Sequence, residues 1–167
     1  ALGVTPAHSH IDWEIAQRHD LPLRSVINEY ARMSVESPLL KDKKVGVISN
    51  QTGILTNGTH LVDFLIANAV QVEKIFAPEH GFRGTADAGE LIIDGKDTKT
   101  GLPIISLYGS NKKPKTEQLE GIDILIFDIQ DVGARFYTYI SSLHNVMEAC
   151  AENNIPLLVL DRPNPNG

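Results

Sequence analysis

The chain has 167 residues, 42% of them hydrophobic, which suits one buried core and at most a small appendage. Its 15 basic and 21 acidic residues give a net charge of -6, which excludes the positive footprint that a nucleic-acid backbone requires. A single cysteine excludes an internal disulfide framework and a thiolate zinc cluster, and no apolar run reaches the roughly 18 residues of a membrane span.

The N-terminus "ALGVTPAHSH" has no basic segment followed by an apolar one, so it contains no address, and the compartment stays open. Residues 1–40 form an N-terminal helical segment in this reading. The stretch "HIDWEIAQRHDLPLRSVINEYARMS" is amphipathic and broken by Pro22, which predicts two short helices. From Lys44 the pattern changes to short β-branched apolar runs alternating with segments of helical period, the signature of parallel strands joined by helices.

Four strands are predicted at Lys44–Ser49, Val72–Ala77, Ile122–Ile129 and Pro156–Asp161, and a fifth at Pro103–Tyr108. They are continuous rather than alternating, as expected of strands covered on both faces. Thr59 is placed to cap a helix with apolar positions Leu61, Val62, Leu65, Ile66 and Ala69. A second helix, Phe136–Glu152, carries Ile140, Leu143, Met147, Cys150 and Ala151 at the same spacing. It stops at Asn153 and Asn154, and Cys150 reads as a core thiol. The long connection Gly84–Gly101 reads as a functional loop or as a hairpin around "LIID". The fold class predicted for residues 41–167 is α/β: a Rossmann-like, open, mainly parallel sheet with helices on both faces.

Such sheets bind ligands beyond the carboxyl ends of their strands. Every strand here ends in a polar string: "SNQTG", "PEHGFRG", "LYG", "DIQDVGARFY" and "DRPNPNG". Glu79 and His80 follow the second strand. A carboxyl group set against Phe76 and Phe82 would be poorly solvated, which raises its pKa and suits it to donate a proton near neutrality. The plainer alternative pairs Glu79 with Arg83 and leaves His80 on a carbonyl in a surface turn. Asp128 ends the third confident strand, followed by Gln130, Arg135 and Tyr137; it serves either a site or the cap of the next helix. Asn50 and Gln51 are neutral donors and acceptors, useful for hydroxyl or acetamide recognition and equally for closing a turn. Arg135 and Arg162 suit a planar carboxylate, or pair with Asp161, Asp128 or Asp131.

No G-x-G-x-x-G or Walker-type loop follows a strand, and no G-x-S-x-G elbow occurs. The histidines lack ligand spacing, so neither a cofactor nor a metal is expected. A nucleotide-dependent oxidoreductase loses its main support.

Taken together, "VGVISNQTG", "FAPEHGFRG", "AGE", "TGLPIISLYG", "IDILIFDIQDVGARFYTYI" and "VLDRPNPNG" resemble, in order and nearly in form, the NamZ-type exo-β-N-acetylmuramidases. The match runs from about Leu40 to Gly167. The resemblance implies a Rossmann-like domain joined to a smaller C-terminal domain, with the site in the cleft between them. It implies removal of terminal β-linked N-acetylmuramic acid from peptidoglycan fragments, with Glu79 as the essential catalytic carboxyl. His80, Asn50, Gln51, Asp128, Gln130 and Arg135 would line the pocket, and the family's role suggests a periplasmic or secreted protein. Half of the cleft is then expected to be missing or to lie on another chain.

Glycosidic cleavage requires a proton for the departing oxygen and stabilisation of an oxocarbenium-like transition state. Glu79 is the candidate acid, and Asp128 or the sugar's own acetamide the second group. Arg135 and Arg162, with Arg83 weaker, are candidates for the lactyl carboxylate. The competing reading is a sugar or muropeptide binding module without catalysis.

Overall fold

The computed structural model describes residues 39–78, 81–84, 94–134, 136–162 and 164–166. The predicted N-terminal helices and the "LII" of the expected hairpin lie outside the described residues, as do Glu79, His80 and Arg135.

Six strands form one sheet: β1 (Lys44–Ser49), β2 (Gln71–Ala77), β3 (Gly95–Lys96), β4 (Pro103–Ser106), β5 (Ile124–Asp128) and β6 (Leu157–Val159). Their order is β3-β4-β2-β1-β5-β6, and all neighbours are parallel except the pair β3 and β4. The mainly parallel Rossmann-like sheet expected from the sequence is therefore present. The hairpin strand is the two residues Gly95–Lys96, downstream of the stretch that suggested it.

Alternation along the strands sorts the core into two layers. Val45, Val47, Ile75, Ile124 and Ile126 face one side, where they pack with helix α1 (Leu61–Ala67) through Leu61, Val62 and Leu65. Ile48, Phe76, Leu125 and Phe127 face the other, with helices α2 (Thr116–Leu119) and α3 (Tyr139–Asn153). Each fully buried aliphatic side chain contributes about 1.5–3 kcal/mol by leaving water.

The helices depart from expectation in instructive ways. His60, not Thr59, caps α1, its Nδ1 accepting from Val62 N–H at 3.3 Å. Ala69 lies past the helix with φ 61°, and Ile66 stays 41% exposed. Helix α3 begins at Tyr139 rather than Phe136, because Tyr137 N–H closes a turn onto Ala134 O at 3.0 Å. It stops where expected, at Asn154 with φ 54°. Its buried face is Tyr139, Ser142, Val146, Ala149 and Cys150. The predicted stripe is thus rotated off the sheet, with Ile140 60% and Met147 41% exposed.

The chain runs outward from β1 through β2 to β4, then returns to place β5 on β1's other side. The strand order therefore reverses at the β1–β5 boundary, and the crevice beyond their carboxyl ends is where such sheets place ligands.

Candidate functional site

Strand register brings the polar ends together. Ser49 stands opposite Asp128, Ile48 opposite Phe76, and Ala77 opposite Ser106, so β1, β2, β4 and β5 end at nearly one level. At the reversal point the Ser49 hydroxyl donates to Asp128 O at 3.2 Å. Gly53 closes a turn by donating to Asn50 O at 3.0 Å. Any Cβ at Gly53 would stand 2.1 Å from Ser49 Oγ and 3.0 Å from Asp128 Oδ2, so only glycine allows this approach.

Thr52 is the hub. Its N–H and hydroxyl donate to Asn50 Oδ1 at 2.9 and 2.7 Å, and its Oγ1 accepts from Gln130 N–H at 3.3 Å. Its carbonyl accepts from Arg162 Nη1 at 2.6 Å, while Arg162 Nη2 donates to Asp128 Oδ1. Burial pushes the Asp128 carboxyl up from its ordinary range, and the Arg162 charge opposes that rise. Asn50 is fully buried, and its Nδ2 has no hydrogen-bond partner among the described residues. A buried donor left so costs about 1–3 kcal/mol, which a fold retains only for a reason.

A second cluster borders the first. His60 Nε2 donates to Asn50 O at 3.0 Å; since Nδ1 accepts from Val62, the ring is the neutral Nε2–H tautomer. Burial holds its pKa below the ordinary value, against the Asn50 carbonyl, which raises it. Phe82 stands edge-on to the His60 ring at 4.4 Å, and the Arg83 guanidinium lies 4.9 Å from the Phe82 centroid. Arg83 bonds Asp97 through Nε and Nη2 at 2.7 and 2.8 Å, and Asp63 at 3.0 Å. Asp97 also accepts from Thr100 N–H and hydroxyl, and Lys99 reaches Asp63 at 2.7 Å. The bond from Arg83 holds the Asp97 carboxyl well below its usual range despite burial, and that bond in turn raises Arg83. Burial pulls Asp63 up, but the bonds from Arg83 and Lys99 leave it below the ordinary value.

The structure thus gathers Asn50, Asp128, Gln130 and Arg162 around Thr52. Gln51, exposed, lies against Gly84, where an added Cβ would be 2.9 Å from Gln51 Cβ and φ is 70°. Arg83 is engaged by two carboxylates on the α1 side. Tyr137 is 46% exposed on the approach to α3, its ring 5.6 Å from Tyr139. Glu79, His80 and Arg135 lie outside the described residues; the flanks of the first two are pinned, Pro78 fully buried and Gly81 N–H donating to Pro78 O at 3.1 Å. Sequence reasoning missed Thr52, His60 and Asp97. The only signal was local: "NQT" at a strand end, and a polar pair, Thr59-His60, before an apolar period.

An α/β domain whose polar strand ends meet at its strand-order reversal is the class that this geometry defines. The family model described as exo-beta-N-acetylmuramidase NamZ, N-terminal, matches residues 45–167, and the chain belongs to that family. It is 52% identical over 129 residues to the peptidoglycan beta-N-acetylmuramidase NamZ of Bacillus subtilis (strain 168), covering 77% of this chain and 31% of that protein. Among solved structures it is similar to two DUF1343 family proteins of Bacteroides fragilis NCTC 9343. One superposes with TM-score 0.70 at 44% identity, covering 77% of this chain and 32% of the other. The second gives 0.68 at 45%, covering 86% and 36%. The chain therefore spans about a third of the length of these relatives.

Proposed function

We propose that this chain is the Rossmann-like part of a glycoside hydrolase that releases terminal β-linked N-acetylmuramic acid from peptidoglycan fragments, with Glu79 as the catalytic acid. The observation that carries the reading is its 52% identity to a relative named peptidoglycan beta-N-acetylmuramidase. Glu79 follows the strand beside β1, two residues after the aligned strand end Ala77, so its chain position leads to the same crevice edge. In the sequence it lies between Pro78 and Phe82, both of which are buried.

The site residues divide by what holds them. Asp128, only 5% exposed and bonded to Arg162, acts as the anchor that fixes Arg162 and, through Thr52, Asn50. That burial favours the sugar's acetamide over Asp128 as the second group in catalysis. Asn50 offers a buried amide donor, and Gln51 an exposed amide at the rim. His80 and Gln130 complete the lining, with Tyr137 at its margin, and Arg135 takes the lactyl carboxylate, since Arg83 and Arg162 are already bonded to acids.

The test is Glu79→Gln in a full-length version carrying the length found in the relatives. Release of N-acetylmuramic acid from muropeptide fragments should be lost, while the circular dichroism spectrum stays unchanged. Retained turnover would end the assignment. Tight binding of muropeptide with no cleavage by the unaltered protein at any pH would favour a recognition module instead.

A further inference from the structure

The turn that follows β1, Asn50–Gly53, is held from both ends. Gly53 N–H closes it onto Asn50 O at 3.0 Å, and the same carbonyl accepts from His60 Nε2 at 3.0 Å. Thr52 N–H can only donate, so the Asn50 side-chain atom 2.9 Å from it is the oxygen, and the orientation of that amide is settled. Gln130 N–H occupies the Thr52 hydroxyl oxygen at 3.3 Å, so the hydroxyl proton goes to Asn50 Oδ1 at 2.7 Å. Thr52 O accepts from Ile54 N–H at 2.8 Å and from Arg162 Nη1 at 2.6 Å, which ties the turn to the segment after β6.

Gln51, between these two pinned residues, is the one exposed side chain of the turn, and its amide has no hydrogen bond among the described residues. Its stem is directed as well. Gly84 packs so closely that a Cβ there would be 2.9 Å from Gln51 Cβ and 3.1 Å from its Cγ, and the Gly84 φ of 70° suits glycine. A side chain with both backbone neighbours fixed, a walled stem and an unengaged head loses little freedom on binding. The neighbouring cations are already neutralised, Arg83 by Asp63 and Asp97, and Arg162 by Asp128. The turn therefore presents a neutral amide, suited to a neutral polar group.

We propose that Gln51 Oε1 accepts the acetamido N–H of the sugar, and that Thr52 is the positioning residue that holds Gln51 in place for it. The inference rests on the hydrolase reading for the identity of the sugar. With the acetamide's carbonyl oxygen turned toward the anomeric carbon as the second group, its N–H points the opposite way and needs an acceptor. Asp128 is buried and bonded to Arg162, so it does not supply one. Asp131 and Asp161 are exposed acids past the ends of β5 and β6, but nothing among the described residues fixes either side chain.

The test measures binding of two sugars to a version carrying the length found in the relatives: N-acetylmuramic acid, and 3-O-lactylglucose, which has a hydroxyl in place of the acetamide. The unaltered protein should prefer the first by about tenfold, as one well-made neutral hydrogen bond allows. Gln51→Leu should bring the two within about twofold and leave the melting temperature unchanged, whereas Gln51→Glu, which keeps the acceptor, should retain the preference. Thr52→Val should cut the preference by about threefold or more with little change for 3-O-lactylglucose, and Thr52→Ser should restore it. A residue that served folding alone would weaken both sugars together. If Thr52→Val does not fold, Thr52→Ala and Gly84→Ala are read in its place, the second because its Cβ displaces the Gln51 stem, and the same loss is expected. A preference that survives Gln51→Leu, or that vanishes with Asp131→Asn or Asp161→Asn instead, overturns the proposal. So does a folded Thr52→Val that keeps the preference, or equal weakening of both sugars. Cleavage does not enter this readout. Protein that shows the Gln51-dependent preference without releasing N-acetylmuramic acid overturns the hydrolase assignment alone, and protein that releases it without the preference overturns this proposal alone.

Discussion

Helix α1 turns Leu61, Val62 and Leu65 onto β1 and β2 and sends its acid, Asp63, into the Arg83–Asp97 cluster. Helix α3, on the other face, buries Tyr139, Val146 and Ala149 and leaves Phe136, Ile140 and Met147 in solvent. The first helix finds nearly all its partners within the chain, polar ones included. The second carries an apolar stripe wider than the face it buries. The cluster on the α1 side also borders the candidate site through His60 and Asn50, which gives that face its tighter construction.

The sharpest way to break this contrast is Asp97→Ala. The Asp97 side chain is only 2% exposed and holds Arg83 with two bonds, so its loss strands a guanidinium beside Asp63 alone. Removing one member of a buried pair costs about 3–5 kcal/mol, and with the Arg83 side chain 27% exposed the lower end of that range, a drop of about 3 kcal/mol, should appear in urea unfolding. Adding Arg83→Ala to that background should cost little more, since the two act as a unit. A loss under about 0.5 kcal/mol would reduce the cluster to an exposed ion pair.

A paired substitution then measures the two helices directly. Leu65 on α1 is 0% exposed, and Leu65→Ala should cost about 3 kcal/mol. Met147 on α3 is 41% exposed, and Met147→Ala in the 167-residue chain should stay within about 0.5 kcal/mol. Equal losses would mean that the α3 flank is already covered in solution, and the contrast between the faces would disappear.

The same two helices show what the sequence made legible. β1 and β5 were readable because their apolar runs are nearly unbroken, as strands buried on both faces require, and β2 because its second half, Ile75–Ala77, is apolar and fully buried. β3, two residues long, and α2, four residues long, are too short to carry a period. The α3 face was misplaced because its apolar residues cover two sides, and period alone cannot tell which side meets the sheet. Asn50, Asp128 and Arg162 were legible as site candidates because each directly follows an apolar run and the fold class aligns those ends. Arg83 was not assigned its true partners, since Asp63 and Asp97 are 20 and 14 residues away and only the folded loop brings them together.

The smallest effect separates the α1 face from the α3 face by pH. His60 is buried and neutral, with its pKa held below the ordinary 6.5 by burial. The unfolded chain therefore takes up the proton first, so the stability that His60 contributes is complete above 6.5 and falls as pH drops toward its folded value. Asp128 works in the opposite sense: its raised carboxyl binds a proton more readily when folded, so acidification relieves the cost of its charge. A simple melting curve against pH would mix the two. His60→Asn separates them, because asparagine still caps α1 but cannot repeat the Nε2 bond to Asn50 O, costing about 1 kcal/mol near pH 8. The difference between parent and variant should shrink as pH falls from about 7 to about 5, while the Asp128 contribution cancels between them. A difference that stays constant over that range would show that His60 takes up its proton equally readily folded and unfolded, and with it that the junction between α1 and the Asn50 turn is wetter than its packing implies.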